Sequence, residues 1–236
     1  MSKSKKISSD DVYKIKASHN PDKFIAVGIQ IKDLNALTYM DKVELFRNRI
    51  QEWYFMSTKP IEATHTSNFV IMAVSCLLID LLSQYRYGNE HSNRQLYIKF
   101  FKEYLQGYNH TIEPPIATVS FDTHKGWIET SIHSVAEGFY HGIRCGILHS
   151  ARIMEYCRLN RYHEKEIIKL LEWDSINHRR EINIHAPAFF HKLEDIFLAY
   201  TEDLRHEQEE IKINFLKRFN FDYGIIQEYK GELLKF

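Results

Sequence analysis

The residue types best suited to chemistry are concentrated in the run Gly138–His149, which reads GFYHGIRCGILH. Apolar residues recur at helical spacing through this region and leave a polar stripe on the opposite face, which contains His133, Glu137, His141 and Arg144. Two imidazoles, a carboxylate and a guanidinium on one face can bind a phosphate and move protons. The same stripe is typical of a solvated helix face, so spacing alone leaves both interpretations open.

Arg144 and His149 are separated by four residues. On an ideal α-helix, five steps of about 100° leave the two side chains roughly 140° apart, so they would not share a site. Gly146 lies between them, and glycine weakens a helix interior by about 1 kcal/mol relative to alanine. A bend or a helix end near Gly146 would bring the side chains together. Gly142 and Gly146 are also explained by close packing of the helix against a neighbour.

Helical patterns surround this run. Thr38–Asp41 resembles a capping box, and apolar residues then recur as far as Pro60. The stretch from about Ser67 to Tyr87 is apolar nearly all round and stops at Gly88. It predicts a central helix with a set of buried side chains, namely Phe69, Met72, Leu77 and Leu81. Further helices are expected over 95–105, 128–162, 164–173 and 189–204.

Two interruptions separate these helices: a loop between Gly107 and Gly126 that contains Pro114–Pro115, and a linker around Asn183–Pro187. Minor extended segments are expected near 23–32 and 116–121. The predicted fold class is all-α, a helical bundle that forms a single domain over 16–236. A polar, flexible tail over 1–15 precedes it.

Composition limits the function classes. The 236 residues carry 31 Lys+Arg and 31 Asp+Glu, and 44% are hydrophobic, which excludes wholesale disorder and a uniformly basic surface. A contact with nucleic acid therefore needs a local patch. Residues 144–180 provide a candidate, with eight basic and five acidic residues, although alternating charge is also typical of a solvated helix.

The cysteines and the apolar stretches predict a cytoplasmic protein. Three unpatterned cysteines indicate a reduced chain, and the N-terminus lacks the apolar region of a secretory signal. The most apolar stretch, 69–82, is shorter than the roughly 20 residues that a bilayer span needs, so no membrane partner is expected. Thirteen histidines form no zinc-binding spacing and there is no Gly-rich phosphate loop, so neither a metal nor a cofactor is expected.

Residues 139–149, FYHGIRCGILH, resemble the Arg-x4-6-His signature of the HEPN superfamily of helical RNA-cleaving domains. They are most similar to a plasmid- and prophage-borne subgroup in which Phe-Tyr precedes an Arg-Cys-Gly-Leu-Leu-His core. That subgroup also has an apolar early helix that ends near Tyr-x-x-Gly, similar to Leu78–Gly88. Its late helix has an aromatic pair followed by a Tyr, similar to Phe189–Leu204. The resemblance covers roughly residues 41–204.

The resemblance implies a metal-independent endoribonuclease with Arg144 and His149 as the catalytic pair. The 2′-hydroxyl of RNA would attack the phosphate and give 2′,3′-cyclic phosphate and 5′-hydroxyl ends. The HEPN fold also implies a homodimer in which both motifs meet at one composite site, with the helix over 128–143 near the two-fold axis. The expected role is that of a toxin or phage-defence effector, and the sequence does not identify an antitoxin. Residues expected to orient the pair or to bind RNA are Glu137, Tyr140, His141, Cys145 and Arg152.

Two positions depart from the family pattern. Family members commonly carry a polar residue directly after the arginine, where this chain has Cys145. Members controlled by partner nucleotidyltransferases carry a Tyr two residues after the histidine, where this chain has Ala151, which argues against that regulation. Two other functions stay open. One is a HEPN-fold module that binds RNA, nucleotides or proteins without turnover, and the other is a helical metal- or small-ligand-binding protein.

Overall fold

A computed structural model describes residues 25–26, 29–30, 37–64, 66–122, 126–161, 166–174, 179–206 and 209–223. The flexible tail predicted over 1–15 lies outside the described residues. In chain order the helices are α1 (Tyr39–Ile50), α2 (Asn68–Tyr87), α3 (Arg94–Tyr104), α4 (Val135–Gly138), α5 (Gly146–Ser150), α6 (Ala186–Arg205) and α7 (Glu209–Asp222). Short 3-10 turns lie at Lys59–Ala63 and Gln106–Tyr108.

Two π-helical turns extend this set of helices. Gln51–Met56 continues α1, and Phe139–Cys145 joins α4 to α5 without a break. We call the continuous helix from Val135 to Ser150 the motif helix. It ends at Ala151, whose φ of 50° lies in the left-handed region.

Local sequence signals set several boundaries. The N–H of Thr38 donates to Oδ2 of Asp41 at 3.0 Å, and the N–H of Asp41 donates to Oγ1 of Thr38 at 3.2 Å, which confirms the predicted capping box. Gly88 ends α2 with a φ of 64°, a conformation that glycine adopts without strain, so the predicted stop is also confirmed.

In the described part of the chain, the strands form three small sheets. β1 (Ile25–Ala26) pairs with β2 (Ile29–Gln30), and β3 (Thr111–Asp122) forms an antiparallel hairpin with β4 (Gly126–Ser134). In the third sheet, β7 (Arg179–His185) lies in the centre, parallel to β5 (Cys157–Asn160) and antiparallel to β6 (Ile168–Asp174).

The all-α prediction is therefore wrong, and the described fold is mixed α/β. The predicted helix over 128–143 begins only at Val135, because residues up to Ser134 belong to β4. Ile128 and Ile132 are four apart, and a step of four satisfies both the helical period and the period of two in a strand. Exposure alternates as in a strand, since Glu129, Ser131 and His133 are exposed while Ile132 is buried.

Two further predictions fail for related reasons. The helix expected over 128–162 ends at Ser150 and is followed by β5, and β6 occupies much of the helix expected over 164–173. The linker expected at Asn183 is part of the central strand β7. Asn183 is buried, and its side-chain oxygen accepts a hydrogen bond from Asn160 of β5. From composition alone, an asparagine indicates a loop. A buried asparagine fits a strand when a neighbouring strand supplies its hydrogen-bond partner. The extended segments expected near 23–32 and 116–121 do contain strands.

An aromatic core joins the long helices. Phe46 of α1 is fully buried, and its ring lies 4.3 Å from that of Tyr85 on α2 and 5.9 Å from that of Phe197 on α6. A second cluster seats the motif helix, because the ring of Phe139 lies 5.1 Å from that of Phe101 and 4.9 Å from that of Phe189. Burial of this apolar surface dominates the stability of such a domain.

Helix α2 is buried on most sides but not on all. By length and composition it could cross a membrane, yet 61% of its apolar window is buried inside the protein, as in a core helix of a soluble protein. Met72 is fully buried as predicted, while Phe69 and Leu81 are only partly buried. The prediction for Leu77 is wrong, because this side chain is 43% exposed and Val70 on the same side is 48% exposed.

Glycines let other segments approach the motif helix closely. A Cβ on Gly142 would meet Sγ of Cys157 at 2.6 Å, and a Cβ on Gly146 would meet the carbonyl oxygen of Arg152 at 2.5 Å. The chain turns back at Ala151 and lies over this face, where the N–H of Met154 donates to the carbonyl of Gly142 at 3.0 Å. Close packing therefore explains both glycines, but the neighbour is the returning chain and β5, not the second helix that a pair of small residues four apart predicts.

We expect Gly146→Ala to lower the free energy of unfolding by about 1–3 kcal/mol, because the clash is with backbone that cannot turn aside. Gly107→Ala is the matched control, since a Cβ there meets nothing within 4 Å and should change stability little. Chemical denaturation of both variants measures the difference. Equal stability of the two variants would contradict this description of the packing.

Candidate catalytic site

The structure brings the two residues of the predicted pair into contact. Nη1 of Arg144 lies 3.2 Å from Nε2 of His149. A guanidinium can only donate hydrogen bonds, so in this arrangement Nε2 accepts and the imidazole carries its proton on Nδ1. His149 is exposed near the C-terminal end of the motif helix, whereas the Arg144 side chain is only 16% exposed.

The π-helical turn explains why this contact forms across five residues. The turn ends at Cys145 and so covers the start of the step from Arg144 to His149. Its i→i+5 hydrogen-bonding pattern winds the helix less tightly than an α-helix, which reduces the expected angular separation. Helical side chains also lean toward the N-terminus, which directs His149 back toward Arg144. Gly146 itself keeps helical dihedrals, so no bend forms at that residue.

A carboxylate that the sequence analysis did not select holds Arg144 in position. Asp80 of α2 is 7% exposed, and its Oδ2 accepts from Nε of Arg144 at 3.1 Å and lies 3.0 Å from Nη2. The hydroxyl of Ser92 donates to its other oxygen, Oδ1. Two nitrogens of the guanidinium are thereby fixed, and Nη1 is directed at His149.

The surroundings keep Arg144 charged. Partial burial opposes its positive charge, but the attraction of Asp80 and then of Tyr140 outweighs burial and raises the pKa of the guanidinium above its ordinary value. The guanidinium carbon lies 5.4 Å from the centre of the Tyr140 ring, within the range of a cation–π contact. Arg144 is therefore a fixed cation over the working pH range.

Aromatic and thiol groups form the inner wall of the site. The Tyr140 ring packs edge-on against that of the buried Tyr97 at 5.3 Å. Burial raises the pKa of Tyr140, and Cys145 adds to this effect. Burial also raises the pKa of Cys76 to about 12, so this thiol is not a nucleophile. Cys145 is half-buried beside Tyr140 and belongs to this wall.

Glu137 and His141 lie on the same helix, further from the pair. Glu137 accepts from the backbone N–H of His133 at 2.9 Å and lies 3.8 Å from Arg94 of α3. Burial lowers the pKa of His141, Arg94 lowers it further, and Glu137 acts in the opposite direction. His141 is thus biased toward the neutral form, in which its ring can both donate and accept a hydrogen bond.

The predicted four-residue stripe is only partly correct. His133 lies on β4 and not on a helix, so it contributes its backbone N–H instead of a side chain on the helix face. Arg152 follows the end of the motif helix and is exposed, and the described residues give its side chain no ion pair. The structure therefore brings together Arg144, His149, Tyr140 and Cys145 and adds Asp80 and Ser92, while Glu137 and His141 lie alongside. Arg152 contacts Gly146 through its backbone N–H, and the contacts described for its side chain do not include the pair.

This arrangement can bind an anion and transfer a proton at neighbouring points. In the described part of the chain, no group of three or more His, Cys, Asp or Glu residues could hold a metal ion. Comparisons of the chain with protein-family models, with curated proteins and with solved structures give no match. The resemblance to the HEPN superfamily therefore stays a prediction that depends on the motif.

Proposed function

We propose that this protein is a metal-independent endoribonuclease of the HEPN type with Arg144 and His149 as its catalytic pair. The observation that supports the proposal best is the 3.2 Å contact between the guanidinium and the exposed imidazole. A buried or divergent pair would have favoured the module that binds without turnover. Cleavage needs an anion binder and a proton carrier within reach of one phosphate, and these two side chains meet that requirement.

In the proposed reaction, a nonbridging oxygen of the scissile phosphate replaces Nε2 of His149 as the acceptor at Nη1 of Arg144, while Asp80 keeps the guanidinium in place. Nε2 of His149 is then free to take the proton of the ribose 2′-hydroxyl as its oxygen attacks phosphorus. The bond from phosphorus to the 5′-oxygen breaks, and this oxygen takes the proton that Nε2 of His149 has accepted or, in the expected homodimer, a proton from the second copy of His149. The products are a 2′,3′-cyclic phosphate and a 5′-hydroxyl. The step consumes no water and needs no metal ion.

Asp80 acts as a positioning residue in this mechanism. Its carboxylate binds Nε and Nη2 of Arg144 on the buried side. The guanidinium is therefore held in one conformation, with Nη1 directed outward. The positioning depends on α2 and the motif helix being packed together. A site held by rigid helices loses little entropy when substrate binds.

The expected assembly is a homodimer that joins two copies of the motif. Two imidazoles at one composite site would let one remove the 2′ proton while the other protonates the 5′-oxygen. The exposed apolar side chains Leu77 and Val70 lie on α2, three and ten residues before Asp80, and provide surface for such a contact. A monomeric mass in light scattering at micromolar concentration would count against the dimer. The proposed biological role is that of a cytoplasmic toxin or phage-defence effector.

One observation favours the alternative, a non-catalytic binding module. Two of the three guanidinium nitrogens are already engaged by Asp80, which is also how a structural ion pair would look. Such a module would bind RNA or a nucleotide at Arg144 and leave it intact. Turnover separates the two functions.

Incubation of the purified protein with mixed RNA in EDTA is the test of turnover. We expect fragmentation at the same rate in EDTA and in Mg²⁺, because none of the proposed steps uses a metal. The His149→Ala protein, purified in parallel, controls for contaminating ribonuclease. Loss of cleavage in EDTA would reject the metal-independent mechanism, and binding without cleavage in either buffer would favour the binding module.

A further inference from the structure

A groove beside the site carries positive charge. It encloses about 460 Å³ between α3 and the start of the motif helix, and the residues that line it are Arg94, Gln95, Ile98, Lys99, Lys102, Glu103 and Glu137. Ile98 is its one aliphatic side chain, while three of the other six side chains are cationic. The groove lies outside residues 144–180, where the sequence predicts a basic patch.

The two carboxylates of the groove are already engaged. Glu103 accepts from the hydroxyl of Tyr87 at 2.6 Å and lies 3.8 Å from Lys99. Glu137 accepts the N–H of His133 and lies 3.8 Å from Arg94. Lys102 is exposed and has no carboxylate within ion-pair distance among the described residues. Arg94 and Lys99 are the partners in these two ion pairs, but both pairs are 3.8 Å long and both cations are about half exposed, so an incoming phosphate can compete for them at little cost.

The groove and the catalytic pair share the motif helix. Glu137 lines the groove and lies seven residues before Arg144 on the motif helix. Seven residues of helix correspond to about 10 Å. An RNA strand rises about 3.4 Å per stacked nucleotide, so about three nucleotides cover this distance. His141 lies between the two, and Arg94 of the groove is close enough to affect its pKa. Arg94 lies two residues after Ser92, whose hydroxyl donates to Asp80. The segment from Ser92 to Arg94 therefore contacts both the catalytic site and the groove.

We propose that this groove binds the phosphates of single-stranded RNA next to the scissile bond, with Lys99, Lys102 and Arg94 as the contacts and His141 as the link to the site. This inference rests on the proposed ribonuclease function, because it names the strand that the pair would cut. RNA cleavage needs a strand held on at least one side of the scissile phosphate, and Arg144 alone supplies a single cation. Charge complementarity is what identifies the ligand as a polyanion.

The test measures binding of a fluorescent, single-stranded RNA in a His149→Ala background, where cleavage does not interfere. We expect Lys102→Glu and Lys99→Glu each to weaken binding on the order of tenfold at low salt. Neutral replacement by alanine should reduce the slope of log K against log salt by about 0.7 per lost phosphate contact. Lys217→Glu on α7 is the matched control, because Lys217 is exposed and does not line the groove.

The outcomes separate this inference from the function on which it rests. If Lys99→Glu and Lys102→Glu bind RNA as the Lys217→Glu control does, the groove is not the binding path, even if the protein cleaves RNA. If the two groove variants weaken RNA binding but the wild type cleaves no RNA, the groove is confirmed as the binding site and the proposed reaction is rejected. Unchanged circular dichroism and melting temperature of the variants exclude a folding defect as the cause.

Discussion

Replacing His149 with alanine is expected to slow RNA cleavage by about 10²–10⁴-fold, the usual contribution of one general acid–base. The fold should be retained, because the side chain is exposed near the end of the motif helix and contacts only Nη1 of Arg144 among the described residues. Rates from single-turnover cleavage of a defined RNA measure the loss. His206→Ala is the control, since His206 is 71% exposed and lies at the end of α6.

The partner residue needs a more careful substitution. Arg144→Ala would leave Asp80 buried without its cation, so a loss of activity could reflect unfolding. Arg144→Lys keeps the charge but not the planar fork that binds Asp80 and a phosphate together. We expect Arg144→Lys and His149→Ala to reach similar residual rates, and the double variant to fall no further, because each already disables the unit. Multiplied losses in the double variant would show that the two residues act separately.

Removal of the buried carboxylate should have the largest effect on stability. We expect Asp80→Ala to lower the free energy of unfolding by about 3–5 kcal/mol, because it leaves the partly buried Arg144 without its counter-charge and Ser92 without its acceptor. Cleavage should fall at the same time, since the guanidinium loses the two contacts that direct it. Denaturation in urea measures the first effect and single-turnover rates the second.

A second acid–arginine pair is the matched control. Asp203 lies 3.5 Å from Arg86, but its side chain is 41% exposed against 10% for Asp80. Asp203→Ala should therefore change stability by less than about 1 kcal/mol. Asp80→Asn keeps the shape and one acceptor, so it should retain more stability than Asp80→Ala and still lose activity. If Asp80→Asn cleaved RNA at the wild-type rate, Asp80 would have no positioning role.

The long helices could be predicted because their signals are local. The capping box at Thr38, the left-handed Gly88 and the apolar spacing of α2, α3 and α6 each depend on neighbours in sequence. The strands β4 and β7 could not be predicted in this way. The four-residue step from Ile128 to Ile132 fits both periods, and the buried Asn183 is satisfied by Asn160 on another strand. Pairing between distant strands decides these regions.

The site was also predicted only in part. Arg144 and His149 follow from the motif, but on an ideal α-helix their spacing would keep them apart. Their contact depends on a π-helical turn, which the sequence did not predict. Asp80 had a signal that was not used. A carboxylate inside a stretch that is apolar on nearly every side must be paired with a cation or a donor when it is buried. A partner for Asp80 is therefore expected from the sequence, although only the fold identifies this partner as Arg144.

The chemical ends of the RNA fragments test the central proposal most directly. One defined RNA is cleaved in EDTA by the wild type and by His149→Ala, and the fragments are analysed by mass spectrometry. We predict 2′,3′-cyclic phosphate and 5′-hydroxyl ends from the wild type and almost none from the variant. Fragments with 5′-phosphate ends, or the same cyclic phosphate ends at the same rate from His149→Ala, would contradict the mechanism.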